Sequence, residues 1–395
     1  MSTHLAELVD ERAVLVCCGT GGVGKTTIAA VLAVEGACRG CNTVVVTIDP
    51  AKRLANTLGL DTLSNVAHEI DRRNWDPDGQ AAPGGRLSAL MLDTKSTFDG
   101  LVRRYSADPD QAERILENRF YRSISSALSG TQEYMAMEKL YELHEEGGYE
   151  LIVIDTPPTR HALDFLDAPR RLTRLLDNRI FKLLMVPTRA SMRVAGRAVQ
   201  TFLRTVSKVV GGDVINDVVA FFRAFEGMEE GFRDRAARVL ELIAAGSTGF
   251  VLVTSPRRDA VDEAMFFASK LVESDMVVDA LVVNRVHPRF GDESPAGLRA
   301  RADSLAAAAA GGDGDGTGDR AAAARRLAAL YANLADLQEV AERERREFDE
   351  VRSLVDSGAA AFVPYLARDV YDFAALAEVS RHLFAPGEAV SAVAG

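Results

Sequence analysis

Cysteine is scarce: the chain carries four, beside a single tryptophan and six histidines. Four thiols cannot staple a chain of 395 residues, which excludes a disulfide scaffold and fits a reducing compartment. Cys38 and Cys41 form the only C-x-x-C. No second pair completes a four-ligand site, so no zinc is expected and these thiols read as structural. The histidines are scattered without an H-x3-H pair; only His161 stands near a candidate motif. No run of 18 uncharged apolar residues occurs, and the first dozen residues carry acids where a secretory signal needs an apolar stretch. The expectation is a cytoplasmic protein, at most peripheral at a membrane. Basic residues are outnumbered 46 to 57, a net charge of −11, which argues against sequence-blind binding of nucleic acid.

What the chain does have is a series of short apolar runs: Ala13 to Cys17, Thr43 to Ile48, Leu87 to Leu92, Leu151 to Ile154, Gly249 to Val253, Met276 to Val283 and Ala359 to Val363. Most lack polar alternation, as parallel strands covered on both faces do. Segments with helical spacing lie between them, so the pattern is α/β with a mostly parallel central sheet and helices on both faces. The gaps from the third run to the fourth and from the fourth to the fifth far exceed one crossover helix. Both read as helical. The expected organisation is a nucleotide domain from 1–95, 147–168 and 246–395, with a helical insertion from 96–146 and 169–245. The glycine-aspartate stretch 309–319 reads as a flexible surface loop.

The strongest motif is the run Gly19, Thr20, Gly21, Gly22, Val23, Gly24, Lys25, Thr26, followed by Thr27. It satisfies G-x-x-x-x-G-K-[ST]. Phosphate oxygens need several donors at close range, and glycines let successive backbone N–H groups turn inward with no Cβ in the way. The helix that starts near Lys25 adds its positive end. Lys25 would bridge the β- and γ-phosphates, and the Thr26 hydroxyl would ligate Mg²⁺. An apolar strand ends at Cys18 and a helical pattern follows Thr26, the context this motif requires. At the end of another buried run, Asp155 stands at the sheet edge where open α/β folds bind ligands, placed to hold Mg²⁺ through water. Asp49, before Pro50 and Ala51, has two readings: a carboxylate that orients attacking water, or a cap of the following helix. Asp93, at the end of the third run, is a weaker candidate. No Asn-Lys-x-Asp guanine motif occurs, which favours ATP over GTP.

Together these residues resemble the arsenite-pump (ArsA-type) ATPase family, which also contains the ATPases that target tail-anchored membrane proteins and belongs to the deviant-Walker class of P-loop NTPases. Gly21 to Thr27 matches the family P-loop, and Thr47 to Ala51 matches its first switch, which assigns water activation to Asp49. Asp155 to His161 is similar to the second switch. Val282 to Asn284 resembles the strand end whose asparagine reads adenine, and Val363 to Tyr365 the loop that closes over the base, which brings in Asn284 and Pro364. The resemblance implies a Mg²⁺-dependent ATP/ADP cycle in a dimer. The chain departs from the family at Thr20, where the pattern has a lysine that reaches the partner's nucleotide. Two identical copies would lack that cation, so the expected assembly is a homodimer with slow hydrolysis or a heterodimer with a lysine-bearing paralogue. Lys52, Arg53 and Arg160 also replace smaller or different residues, and Lys52 or Arg160 could restore a cation.

Arg170 to Lys208 holds ten basic residues and one acid, Asp177. Met192, Ala195, Val199, Phe202 and Val206 recur there at helical spacing, with Arg193, Arg197, Arg204 and Lys208 on another face. Val218 to Phe225 adds three phenylalanines. One reading is a groove for an apolar client helix with a basic rim for anionic membranes, which the resemblance suggests. The other is ordinary core, with the arginines paired to acids between Glu113 and Glu150.

Overall fold

The computed structural model describes residues 2–48, 53–60, 62–127, 131–156, 162–177, 212–310, 318–348 and 360–384. Eight strands form one sheet: β1 (Val14–Cys18), β2 (Asn42–Thr47), β3 (His68–Glu69), β4 (Arg86–Met91), β5 (Leu151–Asp155), β6 (Thr248–Thr254), β7 (Ala280–Val286) and β8 (Ala360–Pro364). Their order is β3-β4-β2-β5-β1-β6-β7-β8, and every pairing is parallel except β3 with β4. The parallel core is what the unbroken Val, Ile and Leu runs demand, since β1, β5 and β6 are buried along their whole length.

Two strands differ from the sequence expectation. The two residues of β3 are both exposed and carry no apolar signal, so only pairing with β4 defines the strand. The run expected at Met276 to Val283 enters the sheet later, at Ala280. Its lead-in is held by Asp279, whose carboxylate accepts from the Phe250 N–H at 2.8 Å and from Arg12 at 2.7 Å.

The helices are α1 (Ser2–Glu11), α2 (Lys25–Cys38), α3 (Arg53–Thr57), α4 (Arg72–Trp75), α5 (Thr94–Tyr105), α6 (Pro109–Leu116), α7 (Arg119–Ala127), α8 (Thr131–Glu146), α9 (Ala162–Asp177), α10 (Gly212–Phe225), α11 (Glu229–Ala244), α12 (Arg258–Glu273), α13 (Pro295–Ala310), α14 (Gly318–Glu347) and α15 (Phe373–Phe384). Helix α2 is apolar almost all round because it packs on β2 and β5 and is covered by α15 and α1. The long gaps hold helices that pack on one another: α5 on α8, α6 and α7 on α10, and α8 and α11 on α9.

That helical layer has an aromatic centre. Phe221 and Phe225, one turn apart on α10, are 5% and 4% exposed. Phe221 stacks on Tyr121, and Phe225 lies 5.2 Å from Phe232. These two phenylalanines are therefore core, not lining of an open groove, because their i, i+4 spacing sets both on one inward face. Residues 178–211, which hold most of the basic segment and the stripe from Met192 to Val206, lie outside the described residues.

Candidate functional site

Three parallel strands end side by side, β2 at Thr47, β5 at Asp155 and β1 at Cys18. The chain leaves β1 through the glycine turn and enters α2 at Lys25. The turn admits no ordinary residue at two positions. Gly19 has φ +147°, and a Cβ there would lie 2.1 Å from the Val253 carbonyl oxygen. Gly24 has φ +97°, and its Cβ would lie 2.2 Å from Asn284 Nδ2. Gly24→Ala is expected to cost about 2 kcal/mol or more from backbone strain and crowding. A urea titration of the variant checks this, and an unchanged midpoint would contradict it.

Gly24 caps α2 without a side-chain hydrogen bond, so the first N–H groups of the helix have no side-chain partner at the cap. Such an end is suited to an anion. Lys25 is 6% exposed, and its Nζ donates to the Thr20 carbonyl at 2.7 Å. The lysine thus crosses the mouth of the turn it belongs to. Asp155, 1% exposed, accepts from the Thr26 hydroxyl at 2.7 Å and from the Thr47 hydroxyl at 2.9 Å, both at Oδ2. The Asp155 charge is felt by its neighbour: the Cys17 thiol is pushed well above its ordinary value by burial first and by Asp155 second. Burial also pushes Cys18 up to about 12. Both thiols are neutral.

This donor set fits a hard divalent cation. Mg²⁺ prefers oxygen, keeps several waters and takes one or two protein ligands with substrate phosphates. The Thr26 hydroxyl and the Asp155 carboxylate meet that need. Among the described residues no group of three or more His, Cys, Asp or Glu gathers to hold a metal without phosphate. The Cys38 thiol is pushed up to about 11, mainly by burial, and Cys41 is raised for the same reason.

The structure brings Thr20 through Thr27 and Asp155 into one locus. Asn284 joins them from β7: its Nδ2 donates to the Val23 carbonyl at 2.8 Å. Pro364 ends β8 opposite Val286, and the next residue, Tyr365, donates its N–H to the Val286 carbonyl. Asp93 does other work. It caps α5, accepting from the Ser96 N–H at 2.7 Å, because an aspartate just before a helix satisfies an otherwise orphaned donor. Asp49, Lys52, Arg160 and His161 lie outside the described residues.

The sequence assigned no role to Thr47, Arg285 or the pair His287–Glu344. Arg285 donates to the Gly22 carbonyl at 2.9 Å. His287 meets Glu344 of α14 at 2.7 Å through Nδ1. These side chains, with Arg257 and Tyr365, border a cleft of about 220 Å³ against Thr20 to Val23. Thr47 had a local signal, as the next-to-last residue of an apolar run and two residues before Asp49; the others had none.

A glycine turn between a buried strand and a helix, a lysine folded over it and a Thr–Asp pair at the sheet edge define a P-loop nucleotide-binding protein. The chain belongs to the anion-transporting ATPase (ArsA) family, whose model matches residues 12–304. It is 28% identical to ATPase GET3B of Arabidopsis thaliana over 283 residues, covering 68% of this chain and 63% of that protein. It is 26% identical to ATPase GET3C of the same plant over 307 residues, 73% of this chain and 71% of that one. It is 32% identical to the arsenical pump-driving ATPase of Escherichia coli over 169 residues, 42% of this chain and 25% of that one. The match thus spans less than two thirds of GET3B and a quarter of the Escherichia coli protein. Among the described residues no helix is long and apolar enough to cross a membrane.

Proposed function

We propose that this chain binds Mg·ATP in the turn 19–26 and hydrolyses it to ADP and phosphate. The observation that carries the reading is the Thr26–Asp155–Thr47 cluster, set at the C-terminal edge of the sheet beside a lysine-crossed glycine turn. Backbone N–H groups of the turn and the start of α2 bind the phosphates, and Lys25 swings from the Thr20 carbonyl to their oxygens. Bound Mg²⁺ supplies charge neutralisation at the transferring phosphoryl group, held by Thr26 and, through water, Asp155. Asp49 orients the attacking water. Asn284 and Pro364 border the base, with the Asn284 amide already anchored on Val23.

Nucleotide state would be relayed to the helices of 96–146 and 169–245, opening and closing a dimer around an apolar client at an anionic membrane surface. Family membership and the GET3 relatives support this finer reading. Phe221 and Phe225 of α10 are buried and offer a client no surface, whereas Phe222 is half-buried.

Thr20 favours a second reading, an ATP-binding regulatory partner with little turnover of its own. Calorimetric titration with ATP, with and without Mg²⁺, tests the shared premise, and absence of binding would remove both readings. Phosphate release separates them. The enzyme reading expects multiple turnovers from the chain alone; the regulatory reading expects turnover only after Thr20→Lys or after mixing with a lysine-bearing paralogue.

A further inference from the structure

Arg285 has an unusual backbone for its residue type. Its φ is +63°, in the left-handed region that non-glycine residues enter at a cost. It also interrupts the sheet. Asn284 pairs with Val363 and Val286 with Pro364, so Arg285 is an extra residue in β7 with no partner in β8. In a regular strand consecutive side chains point to opposite faces. A bulge with one left-handed residue breaks that alternation and re-aims a side chain. Here the consequence is visible in two hydrogen bonds. Consecutive residues of β7 both reach the same loop, Asn284 at the Val23 carbonyl (2.8 Å) and Arg285 at the Gly22 carbonyl (2.9 Å).

A planar trans peptide points its C=O and N–H in opposite directions. Drawing the Gly22 carbonyl toward β7 therefore turns the Val23 N–H away from β7. Drawing the Val23 carbonyl the same way turns the Gly24 N–H with it. Neighbouring N–H groups facing one way form the concave donor array that binds phosphate. Asn284 is buried at the junction, whereas Arg285 is exposed and reaches in from the rim. The strain at Arg285 and the slip in register have one shared result, a charged donor on the carbonyl that sets the Val23 peptide.

We propose that Arg285 is a positioning residue for nucleotide phosphate, and that the bulge in β7 exists to aim it. It acts through the loop backbone, fixing the Gly22–Val23 peptide so that its N–H is preset before ligand arrives. The inference rests on the ATP-site reading above.

The test uses the full chain and three variants, Arg285→Gly, Arg285→Ala and Arg285→Lys, titrated with MgADP and with adenosine. Losing a charged donor to a loop carbonyl should weaken MgADP binding about tenfold in the glycine and alanine variants. Lysine keeps one donor and should recover most of the loss. Adenosine affinity should stay at the parental value, because the effect is on phosphate donors. In steady state, KM for ATP should rise while kcat changes little. Glycine also relieves the left-handed strain, so the melting temperature of Arg285→Gly should not fall even as affinity drops. Affinity and melting temperature falling together in that variant would mark a merely structural residue and overturn the proposal. So would unchanged MgADP binding, or an equal loss for adenosine, which would make Arg285 a wall of the base site. If the parental chain binds no adenine nucleotide at all, the ATP-site reading itself fails, a result distinct from each of these.

Discussion

Asp155→Asn is expected to lower ATP turnover by about two to three orders of magnitude, the size of effect seen when one electrostatic contact to a developing charge is removed. Asparagine has nearly the shape of aspartate and retains an oxygen that accepts from Thr26 and Thr47, the contacts made at 2.7 and 2.9 Å. What it loses is charge. Mg²⁺ held beside Thr26 would then face a neutral amide, so the gain in ATP affinity on adding Mg²⁺ should largely vanish. Metal-free ATP binding should remain, since the proposed phosphate cradle is backbone and Lys25. The fold should remain as well. A carboxylate 1% exposed and close to the buried Cys17 carries a desolvation cost that asparagine does not. Titration with and without Mg²⁺, phosphate release and thermal melting separate these effects. Full Mg²⁺ dependence in the variant would move the metal away from Asp155.

The contrast between Asp155 and Arg285 shows how far sequence reaches. Asp155 closes four apolar residues of a buried strand, a pattern local enough to read directly. The glycine spacing of 19–24 is equally local, and the structure gives it steric cause at Gly19 and Gly24. Arg285 follows an asparagine in an ordinary strand, and nothing in the spacing announces a slip against β8. His287, just past β7, depends on Glu344, 57 residues away on α14. Long-range register, not residue type, creates both contacts. Asp93 marks a different gap: the capping argument weighed for Asp49 applies equally there, and at Asp93 the cap is what forms. The phenylalanines of α10 were legible as an apolar face, but which surface covers them depends on α7 and α11 folding back over α10.

Arg235→Ala should destabilise the chain by about 3–5 kcal/mol, because it strands a buried carboxylate. Glu138 on α8 and Arg235 on α11 are 1% and 5% exposed and form an ion pair. The guanidinium also lies over the Tyr141 ring, 4.1 Å from its centroid. Burial raises the Glu138 pKa and Arg235 is the main influence opposing that rise, so removing the arginine lets it rise further. Glu138→Ala should cost a similar amount by leaving the guanidinium unpaired. The double replacement Glu138→Leu with Arg235→Met should recover most of the loss, since apolar groups of similar volume avoid desolvation altogether. Urea titrations of the three variants measure this, and a double variant no more stable than the single ones would contradict it. The pair's position gives it reach. Helix α8 runs directly into β5, which ends at Asp155, and α11 into β6, whose Val253 carbonyl closes on Gly19. A charged clasp between those two helices therefore ties the strands on either side of β1, one ending at Asp155 and the other packed against the first glycine of the turn.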